Sequence, residues 1–438
     1  MIDERVIIEQ NPWWMSRENI RGDEKVKEAF KRKNKLLYNF REKKNILFFG
    51  PRQTGKTTLF KLLIYDLIIN KRVDARKILY FSCEILRKFE DIVDVVRRSD
   101  ELLEGEKYIF LDEISFVDEW ERAVKYILDS PLKRNKVIYI TGSSSITLKK
   151  ESFPGRPIEI REFLPLTFRS FIKIFGSKKL KENLNTIIDF RSSREVYEKC
   201  KKIIYFKEEI DRLLYKYMQS GGFPRAFYEL MEEGKIREET YDVYWRWLVH
   251  DLAKLNRSEK IASGVLIGIL KNYTTKFSLS SIAKEVEIGS HVTVREYLEI
   301  LESLYCIRNI YTFDINKKRI VYRKMRKAYF IDPFLIHTFS KMLLGRRVED
   351  YSKIVEGIIM EALARRFGKN LGFYHNRKEV DACFNNFGVE VKYKGGVTFK
   401  DFPKINVKNK VLVSRNELNF DEEKNIAIVP ASLLLSLI

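Results

Sequence analysis

Residues 50–58 read Gly-Pro-Arg-Gln-Thr-Gly-Lys-Thr-Thr, which carries the spacing Gly-x4-Gly-Lys-Thr. That spacing demands a particular setting: a strand must lead into the loop and a helix must lead out. The flanks supply both, with the apolar run Ile46-Leu47-Phe48-Phe49 before it and apolar residues at Leu59, Leu62, Leu63 and Leu67 after it. In such a loop Gly50 and Gly55 let backbone N–H groups turn toward a phosphate at the helix N-terminus. Lys56 brings a point charge to the β and γ oxygens, and the Thr57 hydroxyl reaches Mg²⁺. The pattern therefore predicts a nucleotide cradle built from Gly50, Pro51, Arg52, Gln53, Thr54, Gly55, Lys56, Thr57 and Thr58.

Downstream, apolar runs at 78–82, 108–111 and 137–141 read as buried strands, with helical patterns at 89–97 and 119–128 between them. Strands alternating with helices predict a parallel sheet covered on both faces, with ligands at the carboxyl ends of its strands. Two of those ends carry chemistry. The run Tyr-Ile-Phe-Leu ends in Asp112-Glu113, where Asp112 would hold the Mg²⁺ shell and Glu113 would act on the attacking water. The next strand ends in Thr141-Gly142-Ser143-Ser144-Ser145, which offers hydroxyls, Ser143 among them, to a γ-phosphate or water.

These residues, together with Pro154-Gly155-Arg156, Leu164-Pro165-Leu166-Thr167-Phe168 and Gly221-Gly222-Phe223-Pro224, resemble the archaeal ATPase group of the AAA/STAND-type P-loop ATPases. The resemblance keeps motif order over most of the chain. It implies a sheet with the sensor strand between the two Walker strands. It also implies a catalytic arginine at Arg156, touching the γ-phosphate in cis or across a subunit interface; the alternative is a surface arginine held by Glu159 or Glu162. Trp13 and Trp14 are expected to pack on the sheet, with a place beside adenine as the other reading.

Residues 167–275 are mostly helical in pattern and are read as a lid, broken at Gly221-Gly222. From 277 to 314 a short helix (279–286), a turn at Ile288-Gly289-Ser290 and a second helix (291–304) precede a hairpin. Its strands are 307–313 and 320–322, joined by Asn316–Arg319. That order is helix-turn-helix plus wing. His291, Thr293 and Arg295 would face a DNA groove, and Lys317, Lys318 and Arg319 would meet phosphates. The other reading is a module used only for internal packing.

The last segment reads as a helix (351–366) with Glu356 in its first turns, then strands at 379–384 and 387–392 joined by Asn385-Asn386. Further strands are expected at 411–414 and 426–429. Alternation puts Glu390 and Lys392 on one face, and a hairpin brings Asp381 toward Glu390. Glu-x-Lys alone is weak evidence, since it recurs at 42/44, 233/235 and 422/424. The set Glu356, Asp381, Glu390 and Lys392 in helix–strand–strand order resembles the PD-(D/E)XK nuclease fold, except that Val380 stands where that motif has proline. The resemblance implies metal binding by Glu356, Asp381 and Glu390, with Asp381, Glu390 and Lys392 as catalytic residues.

The expected fold class is α/β: a P-loop NTPase parallel sheet (1–165), a helical lid (166–275), a winged helix (276–345) and a C-terminal α/β nuclease-like domain (346–438). Lys+Arg outnumber Asp+Glu by 82 to 61 for a net +21, which suits a nucleic-acid partner. Gln occurs only at 10, 53 and 219 while Lys, Glu and Ile abound, a balance that also fits heat adaptation. The four cysteines and four histidines are scattered, which argues against a zinc site or a disulfide framework. The charged start and short apolar runs argue for a cytoplasmic protein without a membrane partner. The expected activity is Mg²⁺-dependent ATP hydrolysis, with catalytic Lys56, Glu113 and Arg156, coupled to DNA binding or processing. The alternative is a STAND-type switch acting on a protein partner with an inactive nuclease-like domain. An Arg156 acting in trans would require a homo-oligomer.

Overall fold

A computed structural model of the chain describes residues 3–32, 43–102, 105–143 and 153–438. Ser144 and Ser145 of the expected sensor turn lie outside the described residues. The chain divides into two compact units, Met1–Leu164 and Pro165–Ile438. Among the described residues no helix is long and apolar enough to cross a membrane.

In the first unit five strands, β1 (Ile46–Phe49), β2 (Ile78–Ser82), β3 (Lys107–Asp112), β4 (Lys136–Gly142) and β5 (Glu159–Glu162), pair in the order β2-β3-β4-β1-β5. All pairings are parallel. The strands that end in the loop, in Asp112-Glu113 and in Thr141-Gly142 are therefore β1, β3 and β4, with β4 between the other two, as the resemblance implies. Two apolar layers cover the sheet because alternate residues point to opposite faces. Leu47, Leu79, Ile109 and Ile140 pack on one side, and Ile46, Tyr80, Phe110 and Tyr139 on the other. The N-terminal segment joins the second layer: the indole N–H groups of Trp13 and Trp14 donate to the Ile78 carbonyl at 3.1 and 2.8 Å. Trp13 is only 1% exposed, so protein covers the ring and packing on the sheet is its use.

The second unit begins with seven α-helices between Phe168 and Lys271. The break at Gly221-Gly222 has a physical reason that lies far along the chain. The Gly222 N–H donates to Asp332 Oδ2 at 2.7 Å, and a Cβ on Gly221, whose φ is +59°, would meet Asp332 Oδ1 at 1.7 Å. Asp332 also accepts from the Phe334 N–H at 2.9 Å, and burial pushes its carboxyl up to about 7.

Eight strands follow: β6 (Ile307–Asp314), β7 (Arg319–Phe330), β8 (Gly372–His375), β9 (Glu379–Phe384), β10 (Phe387–Val391), β11 (Asn409–Ser414), β12 (Asn419–Asp421) and β13 (Ile426–Pro430). They form one mixed sheet in the order β12-β13-β11-β10-β9-β8-β6-β7. The expected boundary at 345/346 therefore falls inside a shared sheet. The wing hairpin β6–β7 joins the C-terminal strands through the parallel β6–β8 pair, Tyr311↔Gly372 and Thr312↔Phe373. Glycine at 372 permits that approach, since a Cβ there would lie 2.6 Å from the Tyr311 carbonyl oxygen. The wing strand is also far longer than 320–322, running twelve residues to Phe330.

Candidate active site

The loop between β1 and the helix Lys56–Tyr65 takes the form its glycines allow. Gly55 caps the helix at φ +96°, and a Cβ on Gly50 would lie 2.0 Å from the Phe163 carbonyl oxygen. Lys56 is 3% exposed, and its ammonium spans the loop to the carbonyls of Gly50 (3.1 Å) and Pro51 (2.8 Å). The Thr54 hydroxyl donates to the Pro51 carbonyl at 3.0 Å, and the Arg52 guanidinium lies over the Phe116 ring at 4.9 Å. Gln53 sits in the left-handed region at φ +63°. Thr57 and Thr58 open the helix, half-buried.

The end of β3 is held by hydroxyls. Asp112, 2% exposed, accepts from Tyr80 Oη at 2.9 Å through one oxygen and from Thr141 Oγ1 through the other. The same Thr141 oxygen accepts the Glu113 N–H at 2.8 Å. Glu113 adopts φ +51°, a conformation that favours glycine and that concentrates at functional sites when another residue holds it. Among the described residues its Oε2 is buried with no hydrogen-bond partner. Burial pushes the Glu113 carboxyl above its ordinary range; Lys56 and Arg52 pull the other way and Asp112 adds to the rise. The expected sensor residue Ser143 is buried, and its N–H and hydroxyl both meet Ser115 Oγ at 3.1 Å.

Arg156 pairs with neither Glu159 nor Glu162. Its Nε and Nη2 grip the Asp129 carboxylate at 3.0 and 2.6 Å, while Glu159 holds Arg161 at 2.6 Å. Sequence reading also missed what lies behind Asp112. Lys61 stands 3.6 Å from the Tyr80 ring centre and 3.4 Å from Asp23, the N-cap of the helix Glu24–Lys31. Its place as the lone cation in the apolar run 59–64 was the available signal.

In the second unit the short helix Leu279–Glu285 and the helix His291–Ser303 begin at Ser278 and Ser290 caps. Val294, Leu298, Leu301 and Leu304 are buried, while His291 and Arg295 are exposed and Thr293 is half-buried. The loop residues Lys317, Lys318 and Arg319 are exposed as well. His291 and Arg295 line a groove of about 900 Å³ with Tyr311, Tyr322, Arg326 and His375.

The four C-terminal residues do converge, around a fifth. Asp381 Oδ2 accepts the Val391 N–H at 3.0 Å, and the Lys392 ammonium meets Glu390 Oε1 at 2.8 Å. Glu356, on the helix Tyr351–Phe367, accepts from Tyr329 Oη at 2.8 Å. The ammonium of Lys327, on β7, enters among them at 3.0 Å from Asp381, 2.9 Å from Glu379 and 3.6 Å from Glu356. Lys276 closes on Glu379 from outside at 2.8 Å. Burial and the neighbouring Asp381 push Glu356 up to about 8 and Glu390 up to about 7. For Lys327, burial works against the charge, and Asp381, Glu356 and Glu379 more than offset it, leaving the ammonium above its ordinary range. Among the described residues no three His, Cys, Asp or Glu side chains form a group that could hold a metal ion. Of the expected Glu356–Asp381–Glu390 metal set, Glu356 and Asp381 flank the Lys327 ammonium while Glu390 pairs with Lys392.

Residues 42–172 match the family model of an AAA domain. That stretch is similar to AAA domains, and the parallel order β2-β3-β4-β1-β5 around the loop at 50–58 is that of a P-loop NTPase fold. Residues 211–345 match a model described as a domain of unknown function (DUF8612). The chain is 28% identical over 378 residues to the uncharacterized protein MJ1544 of Methanocaldococcus jannaschii, covering 81% of this chain and 76% of that one. It is 23% identical over 350 residues to an uncharacterized protein of Haemophilus influenzae, covering 76% and 77%. Among solved structures it is similar to the Aeropyrum pernix Orc1 protein in complex with DNA, at 14% identity and a TM-score of 0.31, over 77% of this chain and 98% of that one.

Proposed function

We propose that the chain binds ATP with Mg²⁺ at 50–58 and hydrolyses it, and that residues 276–330 carry a DNA-binding surface. The observation that carries the ATPase reading is Glu113, whose N–H is held by Thr141 just past β3 and whose Oε2 is buried with no hydrogen-bond partner among the described residues. A carboxylate raised by burial is a better proton acceptor near neutral pH, which is what a water-activating base requires. Thr57 and Asp112 would hold Mg²⁺, whose chemistry when bound is to neutralise charge on the β and γ oxygens. Lys56 would leave the Gly50 and Pro51 carbonyls for phosphate oxygens, and Ser143 would stand near the γ-phosphate. Arg156 keeps its proposed phosphate contact, in cis or from a second copy; either requires its Asp129 pair to open. Mg²⁺-dependent ATP turnover that is equal in wild type and Lys56→Ala would defeat the ATPase reading.

The DNA reading draws on exposed His291 and Arg295 beside exposed Lys317, Lys318 and Arg319, in a chain of net charge +21. Cleavage at Asp381, Glu390 and Lys392 would require Mg²⁺ to displace Lys327, and Mg²⁺-dependent nicking that Asp381→Ala abolishes would establish it. Lys327 among those carboxylates favours the second reading, a regulatory ATPase switch whose nuclease-like fold does not cut.

A further inference from the structure

Lys327 occupies a place in β7 where a charged side chain is costly: its side chain is 1% exposed, and lysine is rarely buried unless paired. Here it is paired to excess, with Asp381 and Glu379 within 3.0 Å and Glu356 at 3.6 Å. The remaining carboxylate oxygens are mostly taken. Asp381 Oδ2 holds the Val391 N–H, Glu356 Oε1 holds Tyr329 Oη, and Glu390 Oε1 holds Lys392. Among the described residues only Glu356 Oε2 and Glu390 Oε2 have no partner in this group, and an ion between them would have to displace Lys327 to reach Asp381 Oδ1.

Charge points the same way. Four carboxylates (Glu356, Glu379, Asp381, Glu390) meet three ammonium groups (Lys276, Lys327, Lys392), so the centre is close to balanced before any metal arrives. A divalent ion ligating Asp381 at about 2 Å would stand within roughly 4–5 Å of the Lys327 ammonium, where like charges in a poorly solvated interior repel strongly. We propose that Lys327 is the resident cation of this centre, standing in place of a divalent metal. The centre is then a metal-free joint that ties β7 of the wing hairpin to β9 and to the helix Tyr351–Phe367. The inference concerns the second unit only and is independent of the ATPase reading.

The test counts Mn²⁺ bound to nucleotide-free full-length protein by electron paramagnetic resonance and follows thermal midpoints in parallel. Wild type and Glu390→Gln should bind the same number of ions, because any ion at Thr57 and Asp112 is common to both. Fewer ions in Glu390→Gln would overturn the proposal. Lys327→Met should gain one ion over wild type, with a midpoint raised by about 5 °C at saturating Mn²⁺. That gain should vanish in Lys327→Met/Glu390→Gln. A folded Lys327→Met that gains no ion would also overturn it. Should that variant not fold, the comparison of wild type with Glu390→Gln still decides.

Discussion

The Thr141 hydroxyl accepts the Glu113 N–H at 2.8 Å and donates to Asp112, so one side chain of β4 fastens the last residue of β3 and the one after it. Through Thr141, β4 thus fixes the positions of Asp112 and Glu113. Removing the hydroxyl in Thr141→Val leaves two buried polar groups short of a partner, one of them charged. A hydrogen bond to a charged group contributes about 1.5–3 kcal/mol, so kcat for ATP should fall about ten- to hundredfold. Thr141→Ser should retain most of it. Steady-state ATPase assays distinguish the two, and an unchanged kcat in Thr141→Val would contradict the role.

Asp332 should make the stability of the second unit depend on pH. Its folded carboxyl is raised to about 7 by burial, above its unfolded value. The contribution is therefore fully present below about pH 4 and is lost as pH rises through about 7. Asp332→Asn removes that titration and one acceptor for the Gly222 and Phe334 N–H groups. Its loss of stability relative to wild type should be largest in acid and shrink toward pH 8. Denaturant midpoints at several pH values check this; a gap that widens toward pH 8 would count against it.

Charge removal on the wing should act on DNA affinity through salt. Lys317→Ala/Lys318→Ala/Arg319→Ala should weaken binding to any sequence. It should also flatten the slope of log K against log[salt], by about 0.9 for each phosphate that is no longer neutralised. Arg295→Ala, on the groove side of the helix, should weaken binding as well. Fluorescence anisotropy across a salt series reads both, and affinity independent of salt in wild type would rule out binding through phosphates.

The parts of this structure most legible in the sequence are those whose cause is local. Strands 78–82 and 379–384 follow from apolar or alternating runs, and the serine caps at 278 and 290 from their own side chains. What distance along the chain hid was partnership. Nothing near Arg156 announces Asp129, 27 residues earlier, and nothing near Gly221 announces Asp332. Four of the five residues from 323 to 327 are cations, which hides the strand that continues through them. Lys327 is buried because Glu356, Glu379 and Asp381, up to 54 residues away, close on it. The helix–strand–strand order of Glu356, Asp381, Glu390 and Lys392 is legible along the chain; the cation set among Glu356, Glu379 and Asp381 is not.

The central claim is that Glu113 activates the water that attacks ATP bound at 50–58. Single-turnover hydrolysis in Glu113→Gln, with nucleotide binding measured on the same protein, tests it most directly. Binding should be retained while the hydrolysis rate falls by roughly 10²–10⁴-fold, the range for loss of a general base. Wild-type hydrolysis by Glu113→Gln would contradict the account.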